Sequence, residues 1–368
     1  MKQGWLLKVG VSLIICALAV APTIASAAGG SFIGPFNTVT NVASTVPANG
    51  DVNPYGVAVV PASKGALVKG DILVSNFNNS ANLQGTGTTI VQVAPDGSRS
   101  VFAQISNTDL PGPCPGGVGL TTALVALRKG WVIVGSLPTT DGMTDTAQAG
   151  CLIVLNSQGH VVETFSGRLI NGPWDMTALD EGDEAALFVT NVLNGTVAGS
   201  PNVVNRGTVV RIDLSIEDHK LPRDTSRTVI GSGFGERTDP AALVIGPTGL
   251  GLGKNGTLYV ADSLANRIAA IPRAAERKAS AGIGRTVSMN GAINDPLGLA
   301  IARNGNILVT NGNDGNLVEV TPGGNQIATK MIDNTGTGAG TLFGLALAPG
   351  GKGIYFVNDG NNMLDLFH

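Results

Sequence analysis

Six short runs of β-branched residues end in a side chain that can form hydrogen bonds: Asn76, Ser136, Asn191, Asp262, Asn311 and Asn358. Such groups could bind a ligand or a cation, or they could form Asx-turns at the start of a loop. A divalent cation prefers carboxylates to neutral amides. Asp262, together with Asp175 in another run, is therefore predicted as a metal ligand if Ca²⁺ binds. The default prediction is that the chain uses no cofactor.

The sequence offers little support for a zinc site built from histidines or for a catalytic nucleophile. Of the three histidines, His160 follows a Gln-Gly turn, His219 lies in a polar run and His368 is the last residue. None falls where a zinc ligand set could form. No serine-nucleophile, phosphate-loop or dinucleotide motif occurs in a suitable context. We therefore predict no catalytic residue.

The elements that would position these side chains are clearest at residues 295–332. Four short apolar or β-branched runs are separated there by Asn-Gly, Asn-Asp-Gly and Pro-Gly-Gly turns. Turns of this kind between such runs are the strongest local signal for antiparallel hairpins. The segment predicts one four-stranded sheet, and similar segments recur along the chain.

The recurring pattern indicates an all-β fold. The Pro-x-Gly-Leu-Ala opening at 296–300, the Asn-Gly turn at 304–305 and the Leu-Tyr-Val-Ala-Asp run at 258–262 resemble the NHL repeat family. Four strands in 40 to 50 residues are typical of a propeller blade. The resemblance implies a six-bladed β-propeller forming a single domain over 28–368. The predicted blades are 54–105, 113–167, 172–234, 246–289, 295–333 and 342–368.

The last unit has only three strands before the chain ends. A Thr- and Val-rich segment at 37–46 precedes the first unit and has no place in it. We predict that this segment supplies the fourth strand of the last blade and closes the ring, which would also cover a sheet edge.

The predicted site lies on the face where the innermost strands begin. Three loops that should reach this face are long, at 77–87, 137–150 and 192–207, and loops concentrated on one face often carry function. The predicted ligand-binding residues are the apolar rim residues Tyr55, Trp174 and Phe343 and the polar residues Asn76, Asn191, Asn311 and Asn358. Random variation of exposed loops and a hydrophobic plug in the channel are the alternatives.

Two functions fit these residues. The first is a scaffold that binds a small molecule or a protein over the channel mouth. The alternative is a metal-dependent hydrolase similar to the calcium-dependent lactonases of the gluconolactonase type, which are also six-bladed. Those enzymes place Glu, Asn and Asp at the openings of inner strands, where this chain has Tyr55, Trp174 and Phe343, with only Asp175 nearby.

Composition narrows the range of partners. The chain has 13% charged residues and a formal net charge of −3, so it has no basic field for nucleic acid or anionic lipid. Its 43% hydrophobic content argues against disorder. No later segment is apolar enough to span a membrane, and a monomer is expected.

Residues 1–27 have the pattern of a secretory signal peptide. Two lysines precede an apolar run at 9–20, and Ala25-Ser26-Ala27 fits a cleavage site. Cleavage would change the net charge from −3 to −5, because two lysines and no acids are removed. Cys114 and Cys151 would remain. In an exported protein, periplasmic or extracellular, they most simply form one disulfide, the alternative being two unpaired buried thiols.

Overall fold

The computed structural model describes Met1 and residues 30–167, 169–334 and 340–368. The predicted signal peptide lies outside the described residues except for Met1. The chain divides into two compact units, Met1–Gly30 and Ser31–His368. All the sheets lie in the second unit. Among the described residues, no helix has the length and apolar character needed to cross a membrane.

Six antiparallel sheets form the second unit. In chain order the strands are β1 (Val39–Ser44), β2 (Val52–Val59), β3 (Ile72–Asn78), β4 (Thr89–Val93), β5 (Arg99–Gln104), β6 (Leu120–Ala126), β7 (Val132–Ser136), β8 (Leu152–Leu155), β9 (Val161–Phe165), β10 (Gly172–Asp180), β11 (Glu184–Val192), β12 (Val204–Ser215), β13 (Arg223–Asp239), β14 (Leu243–Ile245), β15 (Pro247–Leu252), β16 (Leu258–Asp262), β17 (Arg267–Ile271), β18 (Arg285–Met289), β19 (Pro296–Ile301), β20 (Ile307–Asn311), β21 (Asn316–Val320), β22 (Gln326–Met331), β23 (Leu342–Leu347), β24 (Ile354–Asn358) and β25 (Met363–Phe367). The helices in these ranges are short: the α-helix Thr196–Gly199 and the 3₁₀ turns Asn107–Asp109, Thr144–Thr146 and Pro349–Gly351.

The sheets are the blades of a six-bladed β-propeller, which confirms the predicted fold class. The innermost strands are β2, β6, β10, β15, β19 and β23. Each contacts the next, and β23 contacts β2, so the ring is closed. The blades pack face to face through buried Val, Ile, Leu and Phe side chains, which supply the hydrophobic stabilisation.

The N-terminal segment closes the ring as predicted. Strand β1 pairs with β25, and the last sheet has the order β1-β25-β24-β23. The residues before β1 are bound to the fifth blade, because the buried carboxylate of Glu319 accepts hydrogen bonds from Ser31 Oγ at 2.6 Å and from Phe32 N at 2.8 Å. This carboxylate anchor was not predicted from the sequence.

A belt of buried hydroxyl groups links neighbouring blades near the inner strands. Each hydroxyl donates to a backbone carbonyl of the next blade, at 2.7–3.0 Å in four cases and 3.5 Å in the fifth. The belt consists of Ser75, Thr121, Thr190, Thr248 and Thr310. Buried carbonyls without a partner would be costly, so these bonds help to fix the blade-to-blade register.

We expect Thr190→Val to lower the free energy of unfolding by about 1–3 kcal/mol. The substitution keeps the side-chain shape but removes the bond to Thr248 O at 2.8 Å and the acceptor of Asp175 N at 3.0 Å. Urea unfolding would measure the change. Thr329→Val, on an exposed edge strand, is the matched control and should cost under about 0.5 kcal/mol. Equal stability of the two variants would contradict a structural role for the belt.

The third blade departs from the pattern. Strands β12 and β13 form a long hairpin, and β13 continues past the blade to pair with β14. In that extension Arg237 pairs with Ile245 and Asp239 with Leu243. Residues 237–245 are called the cap hairpin below.

Candidate functional site

The cap hairpin closes one end of the central channel. Ala242, Leu243, Val244 and Ile245 are buried in one hydrophobic cluster with residues that begin the inner strands. Trp174 Nε1 donates a hydrogen bond to the carbonyl oxygen of Val244 at 3.1 Å. The face that carries the hairpin is called the loop face, and the opposite one the turn face.

The structure brings the three predicted aromatic residues together but buries them beneath the cap hairpin. Tyr55, Trp174 and Phe343 are 2%, 3% and 1% exposed. The rings of Tyr55 and Phe343 stack at a centroid distance of 3.8 Å, and Trp174 lies 6.2 Å from Phe343. In this conformation they form a hydrophobic plug, which was one of the alternatives. A role for them in ligand binding stays a prediction.

The long loops of the first three blades support the cap hairpin. Gln84 Nε2 donates to the carbonyl oxygen of Pro240 at 2.7 Å. The turn Thr144–Thr146 contacts β13. Asn194 N donates to the carboxylate of Glu236, on β13, at 2.8 Å. Because each of the three loops reaches β13 or Pro240 directly after it, their length is accounted for by the hairpin they hold.

The four predicted asparagines are buried and bonded to backbone. Asn191 Oδ1 accepts from the amides of Asn171 and Gly172 at 2.8 and 3.0 Å, and Asn311 Oδ1 accepts from Asn294 N at 3.1 Å. In both blades the amide thereby holds the segment that enters the inner strand. Asn76 Nδ2 donates to Thr45 O, and Asn358 Oδ1 accepts from Gly360 N as in an Asx-turn. Their role in ligand binding also stays a prediction.

The two carboxylates predicted for a metal do not form a site in the described residues. Asp262 is buried and makes an ion pair with Arg267 at 2.8 Å. Asp175 lies on β10 in the wall of the central channel. Within residues 30–167, 169–334 and 340–368, no group of three or more His, Cys, Asp or Glu side chains could hold a metal ion. The role of Asp175 and Asp262 as metal ligands stays a prediction, and we derive no step through a metal.

A cleft opens on the loop face beside the cap hairpin. Its volume is about 440 Å³. Leu264, Leu297 and Phe343 contribute apolar surface to the cleft. The polar residues that line it are Arg237, Asp239, Ser263, Asn266, Asn294, Asp295 and Asn313. Apolar surface combined with a few convergent polar groups is typical of a small-molecule site. We call it the loop-face cleft.

Asp295 is the most unusual residue of the loop-face cleft. Its backbone has a φ of 56°, in the left-handed region that is unfavourable for a non-glycine residue. The pKa of its carboxyl group is raised to about 6, mainly by burial and also by the charge of Asp239, while Arg237 acts in the opposite direction. Arg237 is itself paired with Asp239 at 2.9 Å. Backbone strain and a perturbed carboxyl in one cleft are features of functional sites.

The sequence analysis missed the cap hairpin and the loop-face cleft. One signal in the sequence could have indicated the hairpin: residues 235–245, between the predicted third and fourth blades, were assigned to no blade. Asp295, the residue before Pro296, was not predicted as a site residue. Its relation to Asp239 depends on the fold, because the two residues lie in different blades of the chain.

Comparison with solved structures shows the same fold. A gluconolactonase from Xanthomonas campestris is 13% identical with a TM-score of 0.54, covering 90% of this chain and 98% of its own. Regucalcin, a calcium-binding protein from Agrobacterium tumefaciens, is 12% identical with a TM-score of 0.56, covering 89% and 93%. The PQQ-bound aldose sugar dehydrogenase from Streptomyces coelicolor is 15% identical with a TM-score of 0.52, covering 90% and 97%.

No protein-family model matches the chain, and no curated protein sequence matches it. The NHL resemblance therefore stays a prediction. At identities of 10–15% the solved structures show the six-bladed propeller alone.

Proposed function

We propose that this protein is an exported β-propeller that binds a small polyhydroxylated ligand, of the carbohydrate class, in the loop-face cleft. The observation that carries the proposal is Asp295, a strained and desolvated carboxyl beside the Arg237–Asp239 pair. The Cys114–Cys151 disulfide supports export, because such bonds persist in oxidising compartments.

The lining of the cleft suits this ligand class. A sugar ring presents hydroxyl groups around its edge and C–H groups on its faces. The carboxylates of Asp239 and Asp295 can accept hydrogen bonds from hydroxyls, and charge-assisted bonds are stronger than neutral ones. Leu264, which is half-buried, provides an apolar surface for the C–H groups. Asparagine side chains can donate as well as accept, which suits hydroxyls of either orientation.

The site differs in position from the one expected over the channel mouth. The cap hairpin occupies the mouth, and the cleft lies between this hairpin and the short loops of the fourth and fifth blades, which contribute Ser263 and Gly312. The long loops of the first three blades serve the site indirectly, because they hold the hairpin that forms one wall.

Calorimetric titration with monosaccharides and their 1,5-lactones would test the proposal. We expect wild-type protein to bind at least one compound, and Asp295→Asn to raise its dissociation constant by about 10–100-fold, the effect of losing a charged hydrogen-bonding group. Glu181→Gln, an exposed carboxylate in a turn on the opposite face, is the matched control and should bind as wild type. The proposal fails if no compound binds or if Asp295→Asn binds equally well.

Hydrolysis is the second candidate function at the same site. A carboxyl with a pKa of about 6 is ionised at pH 7.5 and suits a general base. Lactones are included in the panel because one solved structure with this fold is a gluconolactonase. Lactone hydrolysis that rises with an apparent pKa near 6 and survives EDTA would support this function. Hydrolysis abolished by EDTA and restored by Ca²⁺ would instead favour a metal-dependent enzyme.

A further inference from the structure

The central channel contains a second cavity, on the far side of the cap hairpin from the loop face. Its volume is about 610 Å³, and the inner strands of all six blades line it. The lining extends to Arg128, which is exposed, so the cavity opens on the turn face. Apolar side chains form part of its wall; they include Val57, Leu124, Met176, Leu250, Leu299 and Leu345.

Asp175 is an exception in this wall. Six residues occupy equivalent registers just after the irregular step of their inner strands: Leu124, Met176, Leu250, Leu299 and Leu345 follow it directly, and Val57 lies one residue further on. The residue before them is glycine in four blades and alanine in the second. In the third blade it is Asp175. A carboxyl group therefore stands where the repeat otherwise has no polar side chain.

Within residues 30–167, 169–334 and 340–368, this carboxyl forms no ion pair. Asp175 is 9% exposed, and its Oδ2 accepts a hydrogen bond from Leu250 N at 2.8 Å. The other charged residues of the cavity lining are Arg128 and Asp180, and they pair with each other at 3.5 Å where the cavity opens. Burial raises the pKa of Asp175 to about 7, in keeping with a carboxyl that lacks a cationic partner.

A second polar group of the cavity is also without a partner. Thr122 is 4% exposed and lines the same cavity, and its Oγ1 is buried without a hydrogen-bond partner. A buried hydroxyl normally finds a partner, since leaving it unbonded is costly. Within the described residues, the cavity thus combines a row of apolar side chains, one carboxyl that forms no ion pair and one unbonded hydroxyl.

We propose that the channel cavity binds an apolar molecule that carries one protonated primary amine, with Asp175 as its counter-ion. The ammonium group has three N–H donors, and the carboxylate of Asp175 and the hydroxyl of Thr122 are acceptors available to them. The apolar body of the molecule would lie along the leucine and valine side chains toward the turn face. A buried charge is stable only when it is paired, which favours an amine over an alcohol or a carboxylate.

The test compares hexylamine, 1-hexanol and hexanoate by isothermal titration at pH 8.0 and 5.5. We expect hexylamine to bind at least 10-fold more tightly than 1-hexanol at pH 8.0, and hexanoate to bind weakest. At pH 5.5 the affinity for hexylamine should fall by about 30-fold, because Asp175 is then largely protonated while the amine keeps its charge.

Two variants assign the site. Asp175→Asn should weaken hexylamine binding by at least 30-fold and leave 1-hexanol unchanged, and Thr122→Val should weaken it by about 5-fold. Asp145→Asn, an exposed carboxylate elsewhere in the chain, is the matched control. If Asp175→Asn does not fold, the Thr122→Val variant and the pH series test whether hexylamine binds in the channel cavity. Equal affinity for the amine and the alcohol, or hexylamine affinity that is independent of pH, would overturn the proposal.

The outcome is separable from that of the proposed carbohydrate site. Asp295→Asn should leave hexylamine binding unchanged, and Asp175→Asn should leave sugar binding unchanged, because the cap hairpin lies between the two cavities.

Discussion

Replacing both Cys114 and Cys151 by alanine is expected to lower the free energy of unfolding by about 4 kcal/mol. The predicted disulfide is confirmed, and it joins residues 37 positions apart in the sequence. A cross-link restricts the unfolded chain more than the folded one, and the restriction grows with the logarithm of the closed loop. Urea unfolding of the double variant and of wild-type protein would measure the difference.

Reduced wild-type protein is the control for this experiment. Reduction removes the covalent bond but keeps the buried sulfur atom of Cys151, whereas the alanine variant loses both. Similar midpoints for the two forms would assign the loss to the cross-link. A loss below about 1 kcal/mol would show that the second blade holds this loop without covalent help.

The protein is expected to be more stable at pH 5 than at pH 8, with Asp175 as a main cause. Burial raises the pKa of this carboxyl from 3.8 to about 7 in the folded protein. Its contribution to stability is therefore fully present below pH 3.8 and is lost as the pH rises through 7. At about 1.4 kcal/mol per pH unit, Asp175 alone accounts for about 3 kcal/mol between pH 5 and pH 8. Asp359 and Glu236, whose pKa values burial raises to about 7, act in the same direction.

Asp175→Asn isolates the contribution of this carboxyl, because asparagine does not titrate. Urea unfolding of wild type and variant at pH 5 and pH 8 gives two differences in stability. We expect wild type to lose about 3 kcal/mol relative to the variant on going from pH 5 to pH 8. Asp145→Asn serves again as the exposed control and should show no such change. A difference that is the same at both pH values would mean that Asp175 is not desolvated in solution.

The cap hairpin gives the two faces of the propeller separate roles. Leu243 and Val244 close the mouth, the channel cavity opens on the turn face, and the loop face keeps a side cleft. Each of the two cavities has its own carboxyl groups. Asp295 lies on the loop face and Asp175 in the channel, so the two proposed ligands have no shared residue.

The sequence by itself determined the propeller and its closure. Turn residues such as Asn304-Gly305 favour tight hairpins, and Gly305 has the positive φ of 87° that such a turn requires. Alternating apolar runs between turns are a local pattern, and six repeats of it require six blades. The segment at 37–46 belonged to no other blade, and the last blade lacked a fourth strand, so the segment was expected to supply that strand. The blades and the ring closure depend on hydrogen bonds between strands of one repeat, so they could be predicted from the sequence without a structure.

Only the tertiary structure decided where the candidate sites lie. The cap hairpin has no repeat to predict it, and its position depends on contacts from three loops and on Trp174. Asp239 and Asp295 interact across a distance of more than 50 residues in sequence, which no local pattern reports. The predicted aromatic rim is buried instead of exposed, because the hairpin covers Tyr55 and Phe343. Turns and side-chain alternation are local patterns that the sequence shows directly. The exposure of a side chain and the proximity of charges from distant segments depend on how the blades pack.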